Sequence, residues 1–181
     1  MSKIMEEFIR HEAAEGFILC HYNKLDNRVK AVINDVLLDH ANMLIGRMHR
    51  AESPIEQLLT VALADDLNGF QAHVDMGYIK AWRILPQEPI KTPQGNYRVD
   101  FLITITMPDE AVLRLAVECD GHDYHERTKE QAARDKSRDR ALTEIGIRVL
   151  RFTGSEVWRD PRGCANQVGK VMDSMIAERA R

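Results

Sequence analysis

Acidic residues are concentrated where an apolar run ends, in the stretch Leu115–Glu126, "LAVECDGHDYHE". The run predicts a β-strand in which Glu118 and Asp120 lie on one face and Cys119 on the other. A further carboxylate, Asp100, lies within the preceding apolar run "YRVDFLI", where a buried lone charge is costly unless it is paired or bound to a metal. Acids brought together by two neighbouring strands can hold a hard divalent cation.

The same acids also admit a purely structural interpretation. Asp100 would then pair with a nearby arginine such as Arg98 or Arg114, while Glu118 and Asp120 would be solvated residues at the end of a strand. Ionisable clusters at strand ends mark functional sites only probabilistically. The residues by themselves leave both interpretations open.

The hydrophobic period predicts the elements that must position these acids. Apolar residues spaced by three, four and seven indicate a long helix from Leu25 to Met48, and the stretch before it is also expected to be helical. Ser53, Pro54 and Glu56 form a helix-start signal, and this second helix is expected to end near Leu67 at "NG".

Beyond that point the pattern becomes typical of strands. "WRILPQEPI", "YRVDFLITIT" and "LRLAVECD" predict three antiparallel strands separated by turns. "ERTKEQAARDKSRDRALTEI" predicts a helix that Gly146 ends, and "IRVLRF" a fourth strand that can lie parallel to the third. "TGSEVWRDPRG" is expected to be a loop, followed by a last helix from about Cys164 to Ala180. The predicted class is therefore α/β.

Composition places the chain among ordinary globular proteins. It has 181 residues, 44% of them hydrophobic, and a net charge of −3. No run approaches the length of a membrane span, and the first residues are acidic where a signal peptide would be basic. Three scattered cysteines favour reduced thiols, so we expect a cytoplasmic protein without a membrane partner.

The charge is unevenly distributed along the chain. Residues 127–151 carry eight bases and four acids, a net +4, although the whole chain is negative. A local basic face can bind a phosphate backbone whatever the total charge. The purely structural interpretation of this segment is a solvated helix face with ion pairs within the helix. The bases that we expect to contact nucleic acid are Arg127, Lys129, Arg134, Lys136, Arg138 and Arg151.

Four blocks together resemble a known nuclease family. They are "SPIEQLL", "YRVDFLI", "LAVECDGHDYH" and "RDKSRDRALTEIGIRVLRFTGSEVW", which span about Ser53 to Gln167. In order and spacing they are similar to the very-short-patch-repair-like endonucleases, and more closely to a bacterial and phage family with an E-x-D-G signature in the PD-(D/E)XK nuclease superfamily. The resemblance implies a restriction-endonuclease-like core over residues 51–181 and an N-terminal helical accessory segment over residues 1–50.

The resemblance also implies a catalytic site. Asp100, Glu118, the main-chain carbonyl of Cys119 and Asp120 would hold Mg²⁺ or Mn²⁺, and Glu56 would be a further catalytic acid. Asp120 departs from the superfamily, which has a lysine at that position. The expected substitutes for the lysine are His125, Lys129 and Lys136.

The activity that follows from the resemblance is hydrolysis of phosphodiester bonds in DNA, with RNA as a possible target. Two other functions stay open. One is a nuclease-fold module that binds DNA or RNA without cutting, and the other is a protein interaction domain. The sequence does not decide between a monomer and a homodimer.

Overall fold

The computed structural model describes residues 24–120 and 129–179, with the backbone alone for residues 129–133. The chain divides into two compact units, Met1–Gly46 and Arg47–Arg181. Helix α1 (Asn27–Met48) matches the predicted long helix and contains no buried residue. The helix expected before it lies outside the described residues. None of the helices in the described ranges is long and apolar enough to cross a membrane.

Helix α2 (Pro54–Asp66) begins as predicted, with Ser53 as the N-cap and Pro54 in the first turn. This helix ends at Asp66, close to the predicted end near Leu67, but the chain then stays helical through a 3-10 turn (Leu67–Phe70) and a short helix α3 (Gln71–Asp75). Leu67 and Phe70 are buried, and their packing offsets the low helix propensity of "NG".

A four-stranded mixed sheet follows, with the predicted strand directions. Strands β1 (Ala81–Thr92), β2 (Gly95–Thr106) and β3 (Val112–Asp120) are antiparallel neighbours. Helix α4 (Lys129–Glu144) leads to strand β4 (Ile147–Thr153), which pairs with β3 in parallel. Between them Gly146 adopts φ +76°, the left-handed conformation that its helix stop requires.

The chain closes with two helices where one loop and one helix were expected. "GSEVWR" is helix α5 (Gly154–Arg159), and helix α6 (Pro161–Arg179) begins three residues earlier than predicted. The loop prediction is wrong because Thr153 and Glu156 form a reciprocal capping box that starts α5.

Each face of the sheet packs against its own core. The first core cluster lies between one face and helices α2 and α6; among its members are Leu59, Leu63, Phe101, Ile103, Leu115, Val117, Val168 and Met172. The second core cluster covers the other face and contains Ile90, Val99, Leu102, Ala116, Leu142 and Ile147. Because Leu142 belongs to α4, this second cluster fixes α4 to the face on which Glu118 lies.

We predict that Leu142→Ala lowers the free energy of unfolding by about 2–5 kcal/mol, because Leu142 is fully buried. Urea unfolding of the whole chain measures this difference. Val112→Ala removes a half-exposed side chain of β3 and should cost less than about 1 kcal/mol. Equal losses in the two variants would contradict the packing of α4 on the sheet.

Candidate active site

Strands β2 and β3 separate at Asp100. Their pairing runs from Thr106 opposite Val112 to Phe101 opposite Val117 and ends there. The Cys119 N–H points toward β2 and donates to Asp100 Oδ2 at 2.7 Å, so a side chain replaces the main-chain acceptor of a continued ladder. The Asp100 carboxylate therefore lies against the peptide that joins Glu118 to Cys119.

Near Asp100, the side chains of β1 and β2 also change the face of the sheet to which they point. Leu85 and Leu102 pack in the second core cluster, and so do Ile90 and Val99. These positions differ by five residues in β1 and by three in β2, whereas residues on one face of a regular strand differ by an even number. The alternation is thus broken in both strands near Asp100.

Gln87 is the β1 residue at the break. The pairs Pro86–Phe101 and Glu88–Val99 flank it, which places Gln87 opposite Asp100. Gln87 has φ +52°, in the left-handed region. The pattern of "WRILPQEPI" predicted a strand, which is confirmed, but not the irregularity at Gln87. The signal was the pair of prolines, since proline removes a ladder donor and marks an irregular or edge strand.

Glu118 is buried and accepts a hydrogen bond from a residue of helix α4. It is 4% exposed, and Arg138 Nη2 donates to its Oε1. The same Nη2 donates to the main-chain oxygen of Arg98 at 2.7 Å. Arg138 was expected on the nucleic-acid face, but it lies one helical turn before the buried Leu142 and faces the carboxylates. The solvated interpretation of Glu118 is therefore wrong.

Burial dominates the electrostatics of the two strand carboxylates. Desolvation raises the pKa of Glu118 to about 7; the positive charge of Arg138 opposes the rise and the negative charge of Asp100 adds to it. Desolvation also raises the pKa of Asp100, against the Cys119 hydrogen bond and with the added repulsion of Glu56. Both groups disfavour their own ionised form and would gain from a nearby cation.

Asp120 and Arg151 form a second ion pair beside the first. Arg151 Nη1 donates to Asp120 Oδ1 at 3.1 Å, and its Nη2 to Asp139 Oδ1 at 2.6 Å. The Asp120 side chain is only 11% exposed, so it is not the solvated strand-end residue of the structural interpretation. Arg151, predicted to contact nucleic acid, instead joins β3 to α4 through these carboxylates.

Glu56 begins helix α2 and also reaches toward Asp100. Ser53 Oγ accepts from the Glu56 N–H at 3.2 Å and donates to Oε1 at 2.8 Å, which completes the predicted start signal. Oε2 accepts from the Glu52 N–H at 2.9 Å and from Gln87 Nε2 at 2.8 Å. Because the Glu56 charge raises the pKa of Asp100, the two acids share one electrostatic environment.

The remaining predicted residues are exposed on α4 or lie outside the described residues. Arg134 and Lys136 are exposed, and Lys136 lies about 200° around the helix from Arg138 because each residue turns by about 100°. His125 and Arg127 lie outside the described residues, as does the side chain of Lys129. Within the described ranges no three side chains of His, Cys, Asp or Glu are grouped as metal ligands. A cation held by Asp100 and Glu118 would complete its coordination with water or with other oxygens, such as the main-chain oxygen of Cys119.

A family model supports the nuclease superfamily that the sequence resembles. The model described as REase_MTES_1575, a restriction-endonuclease-like family, matches residues 77–172, just over half of the chain. The matched range contains Asp100, Glu118, Asp120 and Arg138, whereas Glu56 precedes it. No curated protein and no solved structure matches the chain.

We predict that Glu118 makes stability depend on pH in metal-free buffer. Its pKa is raised from 4.5 to about 7 on folding, so its contribution is fully present below pH 4.5 and is lost as the pH rises through 7. Between pH 4.5 and pH 8 the wild type should lose about 3 kcal/mol relative to Glu118→Gln. Urea unfolding in EDTA measures the difference, and a constant offset between the proteins would contradict the assignment.

Proposed function

The chain belongs to the restriction-endonuclease-like family REase_MTES_1575, and from that premise we propose that it is a metal-dependent endonuclease that hydrolyses phosphodiester bonds in DNA. The observation that carries the proposal is the convergence at the end of the β2–β3 ladder. There the Asp100 carboxylate lies against the Glu118–Cys119 peptide, with Glu118 buried beside it. Family membership supports a nuclease; DNA as the substrate and the metal requirement are our inference.

Asp100, Glu118 and the main-chain oxygen of Cys119 are the groups that we assign to Mg²⁺ or Mn²⁺. All three offer oxygen, the donor that these ions prefer, and the two carboxylates have raised pKa values that positive charge would lower. Asp100 Oδ2 is engaged by the Cys119 N–H, which leaves Oδ1 for the ion. A bound ion of this kind lowers the pKa of its water and stabilises charge on a phosphate oxygen.

Arg138 is the group that we assign to the role of the missing superfamily lysine. It is the cation that the structure brings onto Glu118, and it is partly buried, with its Nε buried and without a hydrogen-bond partner in the described part of the chain. A guanidinium held there can donate to a non-bridging phosphate oxygen as negative charge develops on it. Lys136 faces elsewhere, while His125 and Lys129 remain predictions.

The remaining assignments concern water and the DNA backbone. Glu56 and Asp120 would orient water or a second cation at the edges of the site. Arg134 and Lys136 are exposed on α4, and with Arg127 and Lys129 they would contact phosphates without reading sequence. Arg151 is bound to two carboxylates and would position Asp120 rather than touch DNA.

We predict that the purified protein nicks supercoiled DNA in the presence of Mg²⁺ or Mn²⁺ and that EDTA abolishes the activity. Asp100→Asn and Glu118→Gln should each lower the rate at least about a hundredfold, because each removes a charged ligand from a preorganised site. Gel electrophoresis of plasmid DNA at fixed times measures the rates.

Asp109→Asn is the matched control for these variants. Asp109 lies in the loop between β2 and β3, at the opposite end of the same two strands, and is exposed. It should leave the rate unchanged. Equal nicking by the wild type and both site variants would contradict the nuclease assignment.

Two other outcomes would favour the alternative functions. Salt-sensitive DNA binding without cutting, unaffected by Glu118→Gln, would favour the binding module. A protein that neither binds nor cuts would favour the interaction domain.

A further inference from the structure

Gln87 joins the sheet to helix α2 at the candidate site. We propose that it is a positioning residue, which holds the Glu56 carboxylate where its negative charge acts on Asp100 and so strengthens the attraction of the site for the catalytic cation. The inference rests on the proposed function and adds a residue that lies outside the proposed ligand set.

The backbone of Gln87 is the first reason. Its φ of +52° lies in a region that residues with a Cβ rarely adopt, and glycine would occupy it without strain. Gln87 also interrupts the β1–β2 pairing opposite Asp100. A disfavoured conformation that persists beside a candidate site is an established pointer to function.

The side chain of Gln87 is the second reason. Its Nε2 donates to Glu56 Oε2 at 2.8 Å, across a separation of 31 residues. The start of α2 does not need this bond, because Ser53 and the Glu52 N–H already complete the cap. The bond therefore acts on the orientation of a buried carboxylate and not on the existence of the helix.

The neutral charge of the amide is the third reason. Glu56 adds negative potential at Asp100, and Arg138 and Arg151 already offset part of the acidic cluster. A lysine or arginine at position 87 would neutralise Glu56 and weaken the attraction for a divalent cation. Glutamine orients the carboxylate with a hydrogen bond and leaves its charge available.

The test compares Gln87→Gly and Gln87→Asn with the wild type in full-length protein. Glycine removes the amide and relaxes the backbone, whereas asparagine tolerates the left-handed conformation with an amide that is too short to reach Glu56. We expect the Kd for Mn²⁺, measured by calorimetry, to rise about 10–100-fold in both variants. In the nicking assay kcat should fall by a similar factor, with KM for DNA within about twofold of the wild type.

Glu110→Gly is the matched control, because Glu110 also has a left-handed backbone, with φ +65°, but lies in the loop between β2 and β3. It relaxes the same kind of strain far from the site and should leave Mn²⁺ affinity and kcat unchanged. Thermal unfolding should place all three variants within about 4 °C of the wild type, which excludes loss of the fold as the cause.

Each outcome decides at least one of the two proposals. If the wild type binds Mn²⁺ and cuts DNA, and the Gln87 variants equal it, the role of Gln87 is overturned and the nuclease stands. If the wild type binds Mn²⁺ without cutting, the nuclease falls and the Mn²⁺ affinities of the variants alone decide the role of Gln87. If the wild type does neither, both proposals fall. In a Glu56→Ala background, Gln87→Gly should have no further effect on Mn²⁺ affinity, and a full additional loss would also overturn the role.

Discussion

The hydrogen bond from the Cys119 N–H to Asp100 Oδ2 is the interaction on which the rest of the site depends. A buried N–H must find an acceptor, and here a carboxylate supplies it at the point where β2 and β3 separate. That substitution turns Asp100 toward β3, ends the antiparallel ladder and leaves β3 to continue beside β4 alone. Glu118 is thereby placed on the open side of the separation, under helix α4.

The local charge balance follows from this geometry. Asp100 and Glu118 lie near each other at low exposure, which is costly because burial and the negative charge of neighbouring acids both oppose the ionisation of these two groups. Arg138 and Arg151 offset the repulsion from α4 and β4. Acids that are held together at such a cost are common at catalytic centres, where a cation recovers part of the energy.

The order of helices and strands was predictable because each element is specified by residue patterns that span only a few positions. The strand composition of "YRVDFLITIT", the helix start at Ser53 and the stop at Gly146 all act within a few residues, and all are confirmed. The error at "TGSEVWR" also has a local cause: Gly154 and Ser155 suggested a loop, although Thr153 and Glu156 stand at the spacing of a capping box. The irregularity of β1 at Gln87 also has a local signal, which is the two prolines of "PQEP".

The sequence by itself therefore determined that Asp100 and Glu118 lie on neighbouring strands, since strand period and connection length are local properties. Only the tertiary structure decided which groups meet them. Arg138 reaches Glu118 across 20 residues, and Gln87 reaches Glu56 across 31. Those contacts depend on how α4 is rotated on the second core cluster and on where the alternation of β1 breaks. Rotation and register are set by packing between distant segments, which no window of sequence contains.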